Sequence, residues 1–186
     1  MTNEPCVISG GWLLISRLVL NSSTHPSRLP VKTSYREISS KQVFFTTTAM
    51  KELRKVMPFT QIRFLCKKNI PGRTFHITTA ANSKGEAVVQ YFSGATDAFP
   101  ASCDSFVRMN NDNSKLARRC HKWGYEKGYY QVGKWGHDGL DRESRLYNLV
   151  AFEESSYHWM NLGGSCECDD FSSSVSSGDF WKVFVR

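Results

Sequence analysis

The chain has 186 residues, of which 40% are hydrophobic and 13% aromatic, and it carries a formal charge of +7. This composition supplies a packed core and excludes disorder throughout; the length allows one domain, or one domain with a tail. No run of about 18 apolar residues occurs, so no transmembrane helix is encoded. The charge is unevenly placed: residues 1–58 hold 8 Lys/Arg and 3 Asp/Glu, whereas residues 59–186 hold 16 and 14. Most of the basicity therefore belongs to the N-terminal segment, which argues against a nucleic-acid partner for the rest.

Residues 6–20 are mostly apolar. They fit a signal-peptide core poorly, because Glu4 precedes them and Arg17 interrupts them. A short buried strand or helix and the edge of a truncated reading frame are the other readings. Residues 21–42 are polar, with Pro26 and Pro30, and read as a linker; Asn21-Ser22-Ser23 is a glycosylation sequon. Residues 43–48 have strand composition. Residues 49–57 place Met50, Leu53 and Met57 on one face of two helical turns, which Pro58 stops. The expected division is a leader and linker over 1–58, poorly ordered or partly helical, followed by a single β-rich domain over 59–186.

Beyond Pro58 the apolar period becomes two. Residues 61–66 read as a strand with Ile62, Phe64 and Cys66 on one face. Residues 73–79 follow with Phe75 and Ile77 inward, then residues 87–92 as a third strand after the turn at 82–85. Asp112 to Ser114 caps a short helix near 113–123, closed by Gly124. Residues 129–132, 145–152, 157–160 and 180–185 complete the strands. The last has Phe180, Lys182 and Phe184 on one face and Trp181, Val183 and Val185 on the other. The expected fold is mainly β: an antiparallel, sandwich-like, disulfide-stapled domain with one short helix.

Six cysteines allow fifteen pairings. Cys166 and Cys168 point the same way on an extended segment, so each needs a partner elsewhere. The expectation is Cys103 with Cys120, bracketing the short helix, and Cys66 with Cys168, tying the first strand of the domain to a late segment; Cys6 and Cys166 pair or stay reduced. Disulfides of this kind belong to secreted proteins and ectodomains.

Three other groups bear on function. Asp169 and Asp170, with Glu167 and Asp179 near them, concentrate oxygen ligands that suit Ca²⁺, and residues 110–113 add more; neither segment matches the Asp-x-Asp-x-Asp-Gly loop, and a solvated acidic turn at Asp169–Asp170 with a helix cap at Asp112–Ser114 is the favoured reading. Trp135, between Gly133 and Gly136 and beside His137 and Asp138, is the ring best placed to be exposed and to stack on a sugar, although core packing is the commoner use of such a ring. Asp138, Asp141, Glu143, Glu153 and Glu154 could form an acid pair of hydrolytic type, but no nucleophile, metalloprotease or phosphate-loop motif accompanies them, and a hydrolase is the least favoured reading.

The phrasing of residues 59–66, 72–79, 103–106, 120–124, 157–159, 168–170 and 177–186 resembles a family of uncharacterised extracellular domains expanded in corals and anemones. The resemblance covers residues 59–186 and implies a secreted or ectodomain context with a complete domain end at Arg186. It carries no activity. Its members have a single cysteine near Cys168, which marks Cys166 as a departure and a candidate free thiol. The functional expectation is a recognition module for an extracellular glycan or protein, with Ca²⁺ as a candidate aid; a structural or adhesive matrix unit is the alternative.

Overall fold

The computed structural model describes residues 7–8, 10–21, 31–32, 34–37, 44–126, 129–130, 135–139, 144–145, 167–170, 172 and 174–186. In chain order these form β1 (Val7–Ile8), β2 (Trp12–Val19), β3 (Val31–Lys32), β4 (Phe44–Phe45), α1 (Thr47–Val56), β5 (Ile62–Lys67), β6 (Thr74–Thr79), α2 (Ser83–Phe92), β7 (Phe106–Arg108), α3 (Lys115–Arg118), β8 (Tyr125–Glu126), β9 (Tyr129–Tyr130), β10 (His137–Gly139), β11 (Ser144–Arg145) and β12 (Phe180–Val185). The main sheet has the order β1-β2-β12-β5-β6-β7, and every neighbouring pair in it is antiparallel. A smaller sheet runs β11-β10-β8-β9.

The period-two pattern decides which way the main sheet faces. Ile62, Phe64 and Cys66 of β5 pair with Val185, Val183 and Trp181 of β12, and all six are buried. Phe75 and Ile77 of β6 continue this layer. Leu13, Ile15 and Leu18 of β2 complete it; Leu13 and Leu18 are five residues apart, and the bulge opposite Val183 and Phe184 lets both face inward. The layer over this face contains helices. α1 begins where Thr46 accepts a bond from the Ala49 N–H at 3.1 Å, and it buries Ala49, Met50 and Leu53. α2 begins where Asn82 accepts from the Gly85 N–H at 2.9 Å, and it buries Val88, Val89, Tyr91 and Phe92. Trp123 and Trp135 fill the space between these elements and the sheet, their ring centres 4.8 Å apart. The fold is thus mainly β, antiparallel in its main sheet and closed by two disulfides. Among the described residues the covering layer is built largely from helices and aromatic side chains rather than from a second full sheet.

Two expectations need correction. Residues 87–92 are the second half of α2, not a strand. Val88, Val89, Tyr91 and Phe92 are spaced to make one helical face, and the Asn82 cap that resembled a turn starts the helix. Second, β2 and α1, both within residues 1–58, do not stand apart from the domain. β2 lies beside β12 inside the main sheet, and α1 packs into the same core, so Pro58 ends a helix rather than a leader. The short helix near 113–123 is present as α3 followed by a 3-10 turn over Cys120–Lys122, with Ser114 as its cap. Cys6, Cys166, most of the strand expected at 145–152 and all of that at 157–160 lie outside the described residues.

Candidate functional site: the open face of the sheet

The acidic segment is committed to holding the fold together. Cys66 and Cys168 are joined, as are Cys103 and Cys120, with Cα–Cα distances of 6.0 and 5.2 Å. Next to the first bridge, Asp169 sits at φ +56° and is fully buried. Its Oδ1 accepts from the Leu116 N–H at 2.6 Å and its Oδ2 from the Lys115 N–H at 3.0 Å, while Arg73 pairs with it from the other side. A carboxylate meeting the first N–H groups of α3 satisfies donors that the short helix cannot. Asp170 takes the buried ammonium of Lys68 at 2.6 Å and the Cys168 N–H at 2.8 Å. Burial pushes the Asp170 carboxyl above its ordinary range, against the pull of Lys68. Lys68 also donates to the Ser172 carbonyl at 2.7 Å. The carboxylates of Asp169 and Asp170, read as Ca²⁺ ligands, are thus occupied by N–H donors and cations. Among the described residues no three His, Cys, Asp or Glu side chains gather where a metal ion would sit. The loop at 110–113 is spent in the same way: Asp112 accepts from the Ser114 hydroxyl at 2.6 Å and Asn113 from the Thr74 N–H at 2.7 Å.

Trp135 is not the exposed ring that its flanking glycines predicted. It has no exposed surface and lies against Phe64, Phe92, Phe106 and Trp123. An indole buries more apolar area than any other side chain available to fill the space above β5, and its N–H finds the Ser105 hydroxyl at 3.4 Å. His137 is buried with it. Asp138 belongs to β10, where it pairs with Tyr125 and Ser144, and its side chain lies outside the described residues. These three residues are close in sequence, but the ring that was to carry the contact is inside the core.

The face of the main sheet that turns away from the helices is different in kind. Strands β2, β5, β6, β7 and β12 contain no Asp or Glu at all. Three cross-strand rows cover this face: Leu14, Phe184, Arg63 and Thr78; Arg17, Lys182, Leu65 and His76; Val19, Phe180, Lys67 and Thr74. Arg17 and Lys182 stand directly opposite each other. Trp12, Leu14 and Phe184 form a small apolar cluster of their own, joined by Leu65 and by no helix. The guanidinium groups of Arg63 and Arg186 both lie over the Trp12 ring, 3.9 and 4.7 Å from its centre. Lys182 lies 5.2 Å from the Phe180 ring centre. Burial and the neighbouring charge of Arg186 both lower the pKa of Arg63. His76 is lowered as well, chiefly by burial, although its Nδ1 meets Asn111 at 2.5 Å.

Sequence reasoning passed over this group. The signal was available, since period two sets Arg63, Lys67 and Lys182 opposite the buried residues of strands that lack acids. Comparisons of the chain with family models, with curated proteins and with solved structures find no match in any of the three. The site and the fold therefore define the protein only as a disulfide-bonded, mainly β domain with a cationic open sheet face.

Proposed function

We propose that the protein is a secreted or ectodomain recognition module that binds an extracellular glycan through the open face of its main sheet. The observation that carries this reading is a group of basic side chains, Arg63, Lys67, Lys182 and Arg186, that share one face of adjacent strands containing no carboxylate. Interior strands gain nothing from such an array, since like charges on one face repel. An anionic or hydroxyl-rich ligand turns the cost into binding energy. The two disulfides are compatible with an oxidising compartment, and no described helix is long and apolar enough to cross a membrane. The reading draws on no metal.

A glycan array probed with the full chain tests it. Glycan signal from the wild type and its loss in Lys182→Glu support the assignment. Concentration-dependent self-association with no glycan signal replaces it with a structural or adhesive matrix unit.

A further inference from the structure

We infer that the ligand of the open face is a linear sulfated polysaccharide; this rests on the glycan-binding reading above and narrows it to one chemical class. The argument begins with the placement of the cations. Lys182 lies at the centre of the face, in the row between those of Arg63 and Lys67 on the neighbouring strand. Diagonal neighbours of this kind are about 7–8 Å apart in an antiparallel sheet. Arg186 follows Phe184 by two residues and reaches back over Trp12. A flexible anionic chain crossing the strands meets several of these groups together, whereas a single small anion meets one.

The cations are also held in place. Arg63 donates through Nε to the Thr78 hydroxyl at 3.2 Å and Arg186 through its guanidinium to the Gln61 amide oxygen at 2.5 Å, while both lie over the same ring. A guanidinium has five N–H donors, so each keeps donors for a sulfate. Among the described residues, neither these two nor Lys67 and Lys182 are ion-paired to a carboxylate, in contrast to Arg54, Lys68, Arg73, Lys84 and Arg108, which all are. Among the described residues, those five cations have carboxylate partners, and Arg63, Lys67, Lys182 and Arg186 do not.

Two of the three rings on the face, those of Trp12 and Phe184, are closed to stacking by their burial, and Lys182 lies over the third, Phe180. Single-stranded nucleic acid is bound by stacking bases on exposed aromatic rings. Trp12 and Phe184 are 4% and 6% exposed, and the guanidinium groups already lie over Trp12. A neutral sugar needs the same open ring. What the face offers is charge and N–H donors over a sealed apolar floor, which suits a polymer recognised by its sulfates.

The test uses the full chain with four probes at one ionic strength: heparin, chemically desulfated heparin, neutral dextran and oligo(dT). Heparin binding that weakens steeply with salt is expected, with desulfation lowering affinity at least tenfold. The double variant Lys67→Gln, Lys182→Gln is expected to bind heparin roughly 10- to 100-fold more weakly, at roughly 3- to 10-fold per charged contact. Its circular dichroism and Tm should match the wild type. Lys51→Gln with Lys55→Gln removes the same charge from exposed positions on α1 and is expected to leave affinity within about twofold. Equal binding of desulfated heparin or dextran overturns the sulfated ligand but keeps the glycan module. No binding to any glycan overturns both. Tighter binding of oligo(dT) than of heparin, or equal losses from the two double variants, overturns the assignment of this face.

Discussion

The two faces of the main sheet use the same strands to opposite ends. One face is closed by α1, α2 and the Trp123–Trp135 pair, and its buried charges are met by internal partners: Asp169 by α3 and Arg73, Asp170 by Lys68. The other carries basic side chains over a floor of four residues, Trp12, Leu14, Leu65 and Phe184. The covered face is where perturbation should cost folding free energy. The open face is where it should cost binding and little else.

The largest expected effect breaks the covered side at its long staple. Replacing Cys66 and Cys168 together by serine removes a bridge spanning 102 positions, with an expected loss of about 4–5 kcal/mol by the loop-closure relation, read by denaturant unfolding. Asp170→Ala leaves the Lys68 ammonium buried without its carboxylate, and the expected loss is about 3–5 kcal/mol. Lys68→Met in the same chain should recover much of it, because the cost lies in the orphaned charge. Gly85→Ala comes next. A Cβ there would stand 1.9 Å from the Ala80 carbonyl oxygen, so backbone must move. About 1–3 kcal/mol is expected from that overpacking.

The open side responds more weakly. His76 has a lowered pKa in the folded chain, so the unfolded chain takes up that proton at higher pH. Stability from this group is present above the unfolded value and is lost as pH falls through it toward the lower folded value. His76→Gln should flatten that part of the pH–stability curve. Smallest of all, Lys67→Gln with Lys182→Gln is expected to change unfolding free energy by no more than about 0.5 kcal/mol. A loss several times larger would mean that these lysines serve the fold, and the contrast between the faces would fail.

Much of the architecture could be read from period and composition. Residues 61–66, 73–79 and 180–185 alternate cleanly because each strand has one buried face, and the structure places them as three adjacent strands. The sequence does not choose among the fifteen pairings, and the expected Cys66–Cys168 and Cys103–Cys120 are the two that the structure joins. Residues 87–92 misled because Val, Tyr and Phe favour strands locally while their buried pattern is helical. Residues 12–19 misled because a run buried on nearly every position has no period to show. The site was legible only as a residue. Trp135 looked exposed because glycines flank it, yet exposure is a property of what packs above a ring, and sequence distance does not carry that. The basic face depended on register, which brings Arg17, Lys182 and Leu65 into one row from three separated segments.

The place of β12 in the sheet has a consequence for how the protein comes to be made. It lies between β2 and β5, with one partner beginning at residue 12 and the other at residue 62. Until residues 180–185 have emerged, those two strands have no strand to join them, and the two halves of the sheet are separate pieces. Contacts of such wide sequence separation form slowly, because long loops must close before any pairing rewards them. During synthesis the edges of β2 and β5 that later receive β12 stay open, so a growing chain depends on something other than its own sheet to keep them from pairing elsewhere.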